Sequence, residues 1–139
     1  MSQFAVVYWS GTGNTKAMAN LVAQGIERSG HGVDVLTASE MNASLVSQYE
    51  GIAFGCPAMG AEQLEESEFA PMFEEVKPEL SGKKVVLFGS YGWGDGEWMR
   101  SWQEECEGLG VQLMADPLIV QEAPDNEEEC MELGEALVA

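Results

Sequence analysis

Residues 10–15 could bind an anion through their backbone. In order they are Ser10, Gly11, Thr12, Gly13, Asn14 and Thr15. Two glycines let the chain fold tightly, so that successive N–H groups converge as an anion-binding nest. A helix predicted to begin here would add the partial positive charge of its N-terminus, so a phosphate could be held without a basic residue. The alternative is a Gly/Ser-rich turn that binds nothing.

Two other phosphate-binding loops do not fit this segment. A P-loop requires glycine directly before its lysine, but Thr15 precedes Lys16. A dinucleotide fingerprint requires a third glycine at the position where this chain has Lys16.

Two further segments combine glycine with aromatic or apolar side chains. The first contains Cys56, Pro57, Ala58, Met59, Gly60, Ala61 and Glu62, and the second contains Gly89, Ser90, Tyr91, Gly92, Trp93, Gly94, Asp95, Gly96 and Glu97. A tryptophan flanked by glycines cannot belong to the core stripe of a helix, and exposing its ring costs free energy unless something covers it. Trp93 therefore predicts a flat aromatic ligand, whereas Trp98 and Trp102 share one helix face and are expected in the core.

Strand-like and helix-like patterns alternate along the whole chain. Strands are predicted at residues 4–9, 33–37, 52–56, 84–90 and 111–120, the last interrupted near Asp116 and Pro117. Helical stripes fall between them, with a weaker helix at 44–49 and a final helix capped by Asp125 or Asn126. This pattern predicts a single α/β domain over residues 1–139: a doubly wound, five-stranded parallel sheet of order 2-1-3-4-5 with helices on both faces.

Such sheets bind ligands outside the carboxyl ends of their strands, at the switch point beside strands one and three. The segments singled out above follow predicted strands one, three and four, so they would meet at this edge. A fourth loop, residues 121–125, begins with Gln121 and also ends at this edge.

Charge and cysteine content limit the classes of function. Twenty-four acidic and six basic residues give a net charge of −18, which opposes binding to nucleic acids and anionic lipids. Basic protein partners would suit this surface, although solubility alone could explain it.

Three widely spaced cysteines are expected to be reduced core thiols, and the lone histidine, His31, offers no metal site. No run is apolar enough to cross a bilayer and no secretory signal is evident, so a cytoplasmic protein is expected.

Three motifs resemble the short-chain, clostridial-type flavodoxins of anaerobic bacteria. They are Tyr-Trp-Ser-Gly-Thr-Gly-Asn-Thr at 8–15, Ala-Met-Gly at 58–60 and Leu-Phe-Gly-Ser-Tyr-Gly-Trp-Gly-Asp-Gly at 87–96. The similarity runs in order through essentially the whole chain, without the insertion in strand five of long-chain relatives. The resemblance implies a flavodoxin-like fold with FMN as cofactor.

The resemblance also assigns roles to individual residues. It implies that residues 10–15 wrap the FMN phosphate, with Ser90 near the ribityl-phosphate end. Trp93 would stack on the outer flavin face and Met59 on the inner face, Glu62 would accept a hydrogen bond from flavin N3–H, and the Gly60 carbonyl would turn toward N5 on reduction. The set of cofactor-binding residues expected on this basis is Ser10, Gly11, Thr12, Gly13, Asn14, Thr15, Pro57, Ala58, Met59, Gly60, Ala61, Glu62, Ser90, Tyr91, Gly92, Trp93, Gly94, Asp95 and Gln121. Whether Glu122, where some relatives have Asn, or Lys16 contacts the flavin stays open.

The implied function is low-potential, one-electron transfer, cycling mainly between the semiquinone and the hydroquinone. Carboxylates predicted near the cofactor edge would lower the second potential and attract the basic docking faces of redox enzymes. They are Glu62, Glu65, Glu66, Glu68, Asp95, Glu97, Glu122 and Asp125. The expected partners are ferredoxin-dependent oxidoreductases of the hydrogenase or reductase type. The protein itself is expected to be a monomer. The alternative is an NAD(P)H or quinone oxidoreductase of the same fold, which would need room for a second substrate where Trp93 is expected.

Overall fold

The computed structural model contains a parallel sheet that is covered by helices on both faces. It describes residues 3–59, 63–92 and 94–139. In chain order the elements are β1 (Phe4–Tyr8), α1 (Asn14–Arg28), β2 (Val33–Thr37), a 3₁₀ helix (Ala38–Glu40), α2 (Ala43–Val46), β3 (Gly51–Gly55), α3 (Phe69–Val76), a second 3₁₀ helix (Lys77–Glu79), β4 (Lys84–Tyr91), α4 (Glu97–Gly108), β5 (Gln112–Leu113), β6 (Leu118–Gln121) and α5 (Glu127–Val138). None of these helices has both the length and the apolar character needed to span a bilayer.

The sheet order is β2-β1-β3-β4-β5, with every pairing parallel, which confirms the predicted doubly wound arrangement. All five residues of β3 are buried, as expected for a central strand covered on both faces. Because the strands are parallel, the carboxyl ends of β1, β3 and β4 meet at one edge of the sheet.

The fifth predicted strand is divided in two. β5 pairs with the beginning of β4 through Val85 and Leu113, and β6 pairs with its end through Phe88 and Leu118. The edge strand thus uses two more residues than β4 over the same length. Pro117, which lacks an N–H donor, lies in this interruption, as the sequence pattern predicted.

Two apolar layers enclose the sheet. On one face α1 and α5 contribute Met18, Val22 and Leu137 to a cluster that includes Val6 and Val86 of the strands. On the other face lies an aromatic cluster built largely by α3 and α4. Its members include Phe54, Phe69, Phe73, Trp98 and Trp102. The expectation that Trp98 and Trp102 belong to the core is confirmed, since both are almost fully buried.

Helices α1 and α5 approach each other closely through two glycines. A Cβ atom added to Gly134 would lie 2.1 Å from the Val22 carbonyl oxygen, and one added to Gly25 would lie 2.0 Å from the Met131 carbonyl oxygen. Real Cβ atoms do not approach backbone atoms this closely. The two helices therefore pack backbone to backbone at these points, and only glycine fits there.

All three cysteines are buried and free of disulfides, as expected for core thiols. Burial raises the pKa of Cys56 and Cys106 to about 12 and that of Cys130 to about 11. Cys56 follows β3, Cys106 lies in α4 and Cys130 lies in α5, so both layers contain a thiol.

Candidate cofactor site

A cleft of about 570 Å³ opens at the carboxyl ends of β1, β3 and β4. Its lining comes from four loops and the helix or strand residues next to them: Trp9, Ser10, Gly11, Thr12, Asn14 and Thr15 at the first, Pro57, Ala58 and Met59 at the second, Ser90, Tyr91 and Gly92 at the third, and Glu122 and Ala123 at the fourth. This volume lies in the range of small-molecule and cofactor sites. The cleft occupies the switch point at which the sheet topology predicted a ligand.

The first loop leaves the N-terminus of α1 available to an anion. Gly13, the residue before the helix, has φ +100°, and no described side chain caps the first turn. Instead, the Gly13 N–H donates to the Ser10 hydroxyl at 3.0 Å, which closes the loop on itself. The remaining N–H groups of the first turn and the positive end of the helix dipole are therefore free to hold a phosphate group.

The third loop is tied to the other two by hydrogen bonds. The hydroxyl oxygens of Thr15 and Ser90 are 2.9 Å apart and buried, and the Ala58 N–H donates to the Ser90 carbonyl at 3.0 Å. Ser90 thus joins the phosphate loop to the loop after β3. In the second loop, Met59 and Gln63 exchange two backbone hydrogen bonds of 2.9 and 3.1 Å.

Trp9 forms a wall between the cleft and a second groove. Its indole N–H donates to a carboxylate oxygen of Glu68 at 3.0 Å, so the residue before α3 fixes the ring. The second groove, of about 530 Å³, is lined by Lys16 and Ser39 among others. Lys16 lines this groove together with Gly11, Thr12 and Gly13 of the first loop, and it is not among the residues that line the cleft.

Glu65 is turned inward, although it was expected among the carboxylates near the cofactor edge. One carboxylate oxygen accepts from the N–H groups of Glu68 and Phe69, both at 2.8 Å. The other accepts from the Ser67 N–H at 2.8 Å and from the Ser67 hydroxyl. Burial raises the pKa of Glu65, but these hydrogen bonds outweigh it and hold the pKa below its ordinary value. Glu65 is therefore a buried carboxylate at the start of α3.

The structure brings most of the predicted site residues together. Eleven of them line the cleft: Ser10, Gly11, Thr12, Asn14, Thr15, Pro57, Ala58, Met59, Ser90, Tyr91 and Gly92. Two are next to lining residues: Gly13 precedes α1, and the Gln121 side chain donates to the Gly92 carbonyl at 3.3 Å. Gly94, with φ +93°, and Asp95, which pairs with Arg100, are not among the lining residues. The predictions for Gly60, Ala61, Glu62 and Trp93 lie outside the described residues.

Three lining residues were not among the predicted contacts. Trp9 was assigned to the end of a strand, and the contact of Glu122 was left open. Ala123 carries no chemical signal of its own. The position of Trp9 directly before Ser10, at a strand's carboxyl end, is the signal that could have identified it.

Glu122 adopts a backbone conformation that is uncommon for its residue type. Its φ is +60°, and it is the only non-glycine residue of the described chain with positive φ. A hydrogen bond of 2.7 Å from its N–H to the Tyr91 carbonyl holds the fourth loop against the third. Side chains with a Cβ are disfavoured in this region, and Asn is among the residues that tolerate it best.

We expect Glu122→Asn to raise the free energy of unfolding of the apoprotein by about 0.5–1 kcal/mol, because asparagine relieves this backbone strain. Glu122→Gln is the matched control, since it removes the same charge but keeps an unbranched, longer side chain. Urea denaturation of the three proteins measures the difference. Equal stability of the Asn and Gln variants would show that charge, and not φ, determines the change.

Most cations are paired away from the cleft. Lys84 contacts Glu50 at 3.2 Å and Lys77 contacts Glu105 at 2.9 Å. Arg100 is paired with Asp95 at 3.2 Å. Among the described residues that line the cleft, Glu122 is the one that carries a charge, in a chain whose net charge is −18.

Comparison with known proteins identifies the family. The family model described as Flavodoxin matches residues 6–134. The flavodoxin of Clostridium beijerinckii is 50% identical over 133 residues, which cover 95% of this chain and 96% of that protein. The chain belongs to the flavodoxin family. The flavodoxin of Megasphaera elsdenii is 49% identical over 131 residues, covering 94% of this chain and 95% of that flavodoxin.

A solved flavodoxin structure has the same architecture. The solution structure of two-electron reduced Megasphaera elsdenii flavodoxin matches with a TM-score of 0.90 at 48% identity, covering 96% of this chain and 97% of that one. Flavodoxins bind FMN and carry electrons, and they are not enzymes. The alternative of an oxidoreductase of the same fold is not favoured.

The described residues fit FMN. The N–H groups of the first turn of α1, which no described side chain caps, suit its phosphate, because they supply donors without requiring a basic residue. Pro57, Ala58, Met59 and Tyr91 offer apolar or aromatic surface in the same cleft, as an aromatic ring system requires.

Proposed function

We propose that this flavodoxin holds FMN in the cleft at the carboxyl ends of β1, β3 and β4. The observation that carries the proposal is the junction of an uncapped helix N-terminus with an apolar cleft of about 570 Å³. When bound, FMN supplies reversible one-electron chemistry to the protein. The chain's own residues bind and orient the cofactor and set the electrostatic field around it.

The phosphate is held by the first loop. The N–H groups of the first turn of α1 are the donors, and the hydroxyls of Thr12 and Thr15 lie in the same cleft. The buried contact between Thr15 and Ser90 fixes one of these hydroxyls against β4. This arrangement favours FMN over FAD, since the loop encloses a terminal phosphate.

Carboxylates adjust the reducing power of the cofactor. A carboxylate about 10 Å from an added negative charge raises its energy by about 0.4 kcal/mol in a water-like dielectric. Glu122 lines the cleft and Glu68 lies behind Trp9, so each opposes a gain of negative charge there. Several such groups together lower the reduction potential.

The acidic surface of the chain attracts its partners. Basic faces of ferredoxin-dependent oxidoreductases, of the hydrogenase or reductase type, complement a chain of net charge −18 and would associate faster at low ionic strength. The protein acts as a monomer in the cytoplasm. Light scattering tests the oligomeric state.

Titration of the apoprotein with FMN, followed by quenching of flavin fluorescence, tests the proposal. We expect one FMN per chain, and at least about a hundredfold weaker binding of riboflavin, since loss of the phosphate removes charge-assisted hydrogen bonds. Equal affinity for riboflavin and FMN would contradict the phosphate assignment, and absence of quenching would contradict the cleft. Sustained NAD(P)H oxidation by the protein alone would favour the oxidoreductase alternative.

A further inference from the structure

Glu65 does not line the cleft, yet it is connected to two groups that do. It is 5% exposed, and its carboxylate accepts four hydrogen bonds from Ser67, Glu68 and Phe69. Hydrogen bonds to a carboxylate are stronger than neutral ones, and leaving a buried polar group without its partners is destabilising. The first turn of α3 is therefore organised around this side chain.

The first connection leads to Trp9. Glu65 fixes the backbone N–H of Glu68 at 2.8 Å, and the Glu68 side chain accepts the Trp9 indole N–H at 3.0 Å. Trp9 is one wall of the cleft. The direction of the Glu68 side chain, and with it the Trp9 ring, follows from the backbone turn that Glu65 holds.

The second connection leads to the start of the loop after β3. The Glu65 N–H lies 3.4 Å from the Cys56 sulfur, and Cys56 directly precedes Pro57. The Glu65 carbonyl accepts from the Ala70 N–H at 2.8 Å, so the backbone of Glu65 is also fixed to α3. Glu65 thus connects the end of β3 to the beginning of α3.

We infer that Glu65 is a positioning residue that sets the Trp9 wall and the Pro57 side of the cofactor cleft through Glu68 and Cys56. This inference rests on the proposed function. It separates Glu65 from its neighbour Glu66, which is exposed and pairs with Gln63. Glu65 acts by hydrogen bonding, whereas Glu66 contributes charge.

The test compares Glu65→Gln with Glu66→Gln, two adjacent substitutions that remove the same charge. A glutamine at 65 turns its amide NH₂ toward backbone N–H donors on one side, and although the Ser67 hydroxyl could accept from it, at least one backbone N–H group loses its acceptor. We expect the FMN dissociation constant to rise about tenfold for Glu65→Gln and to change less than about twofold for Glu66→Gln. In ¹⁵N NMR spectra of the apoprotein, we expect only Glu65→Gln to shift the indole N–H signal of Trp9. That signal is identified by its absence from the spectrum of Trp9→Phe.

A double-mutant cycle separates positioning from general destabilisation. In the Trp9→Phe background, the effect of Glu65→Gln on FMN binding falls to about threefold, because the connection through Glu68 is already lost. An undiminished tenfold effect there would overturn the Trp9 part of the inference. If Glu65→Gln and Glu66→Gln have the same FMN affinity and the same indole signal, the whole inference is overturned. The proposed function would still stand in that case, provided that the wild-type protein binds FMN.

Two further outcomes are informative. If Glu65→Gln does not fold, Ser67→Ala removes the hydroxyl donor alone and should raise the FMN dissociation constant about threefold, with the same indole shift. No change in either quantity would overturn the inference. If wild-type protein fails to bind FMN, the proposed function itself is wrong, and the inference falls with it.

Discussion

Gly134→Ala lowers the free energy of unfolding by about 3 kcal/mol, because the added methyl group collides with the backbone of α1. The Cβ would lie 2.1 Å from the Val22 carbonyl oxygen and 3.0 Å from the Ile26 nitrogen. A backbone carbonyl cannot rotate away as a flexible side chain can, so α1 and α5 must separate. The gain in helix propensity from glycine to alanine, up to about 1 kcal/mol, offsets only part of this cost.

Gly108→Ala is the matched control for this prediction. Gly108 is the last residue of α4, and a Cβ there would meet no heavy atom within 4 Å. Its stability should stay unchanged or rise by up to about 1 kcal/mol. Urea denaturation of both apoproteins measures the difference, and a Gly134→Ala protein as stable as wild type would show that the helices are less closely packed than described.

Gly13→Ala weakens FMN binding by about tenfold or more. Gly13 has φ +100°, where a residue with a Cβ is strained by about 1–2 kcal/mol. The Cβ itself would meet nothing within 4 Å, so the effect comes from the backbone and not from a collision. Relief of the strain turns the N–H groups of the loop away from the phosphate, and the nest is lost.

Gly30→Ala controls for the same strain at a distance from the cofactor. Gly30 has φ +90° and equally open surroundings, but it follows the C-terminus of α1, about 20 Å along the helix from Gly13. Both variants should lose similar stability as apoproteins, whereas only Gly13→Ala should lose FMN affinity. An equal loss of affinity in the two variants would argue against a local role for the loop.

The sequence was sufficient to predict the sheet because local and global patterns agree there. The apolar runs of β1, β3 and β4 are buried on both faces, so their limits follow closely from hydrophobicity. At the edge, where β5 and β6 have less apolar cover, the break at Pro117 was visible but the two-residue excess was not. Pairing between strands determines that register, and no local pattern encodes it.

The sequence was sufficient to predict which loops form the candidate site, but not which side chains in them make hydrogen bonds or are buried. Glycine spacing identified residues 10–15, since the backbone itself is the binding group. The inward turn of Glu65 could not be predicted, because among neighbouring carboxylates only the turn into α3 determines which one is buried. The positive φ of Glu122 likewise depends on its hydrogen bond to Tyr91, which lies on another strand.

The buried thiols make the folded chain resistant to alkylation. Only the thiolate reacts, and with pKa values of about 11 and 12 roughly one thiol in ten thousand or fewer is ionised at neutral pH. Labelling must therefore wait for an opening of the structure, and its rate reports how often that opening occurs. Because Cys130 lies in the layer of α1 and α5 while Cys56 and Cys106 lie in the other layer, mass spectrometry of the labelled peptides distinguishes release of one layer from unfolding of the whole protein.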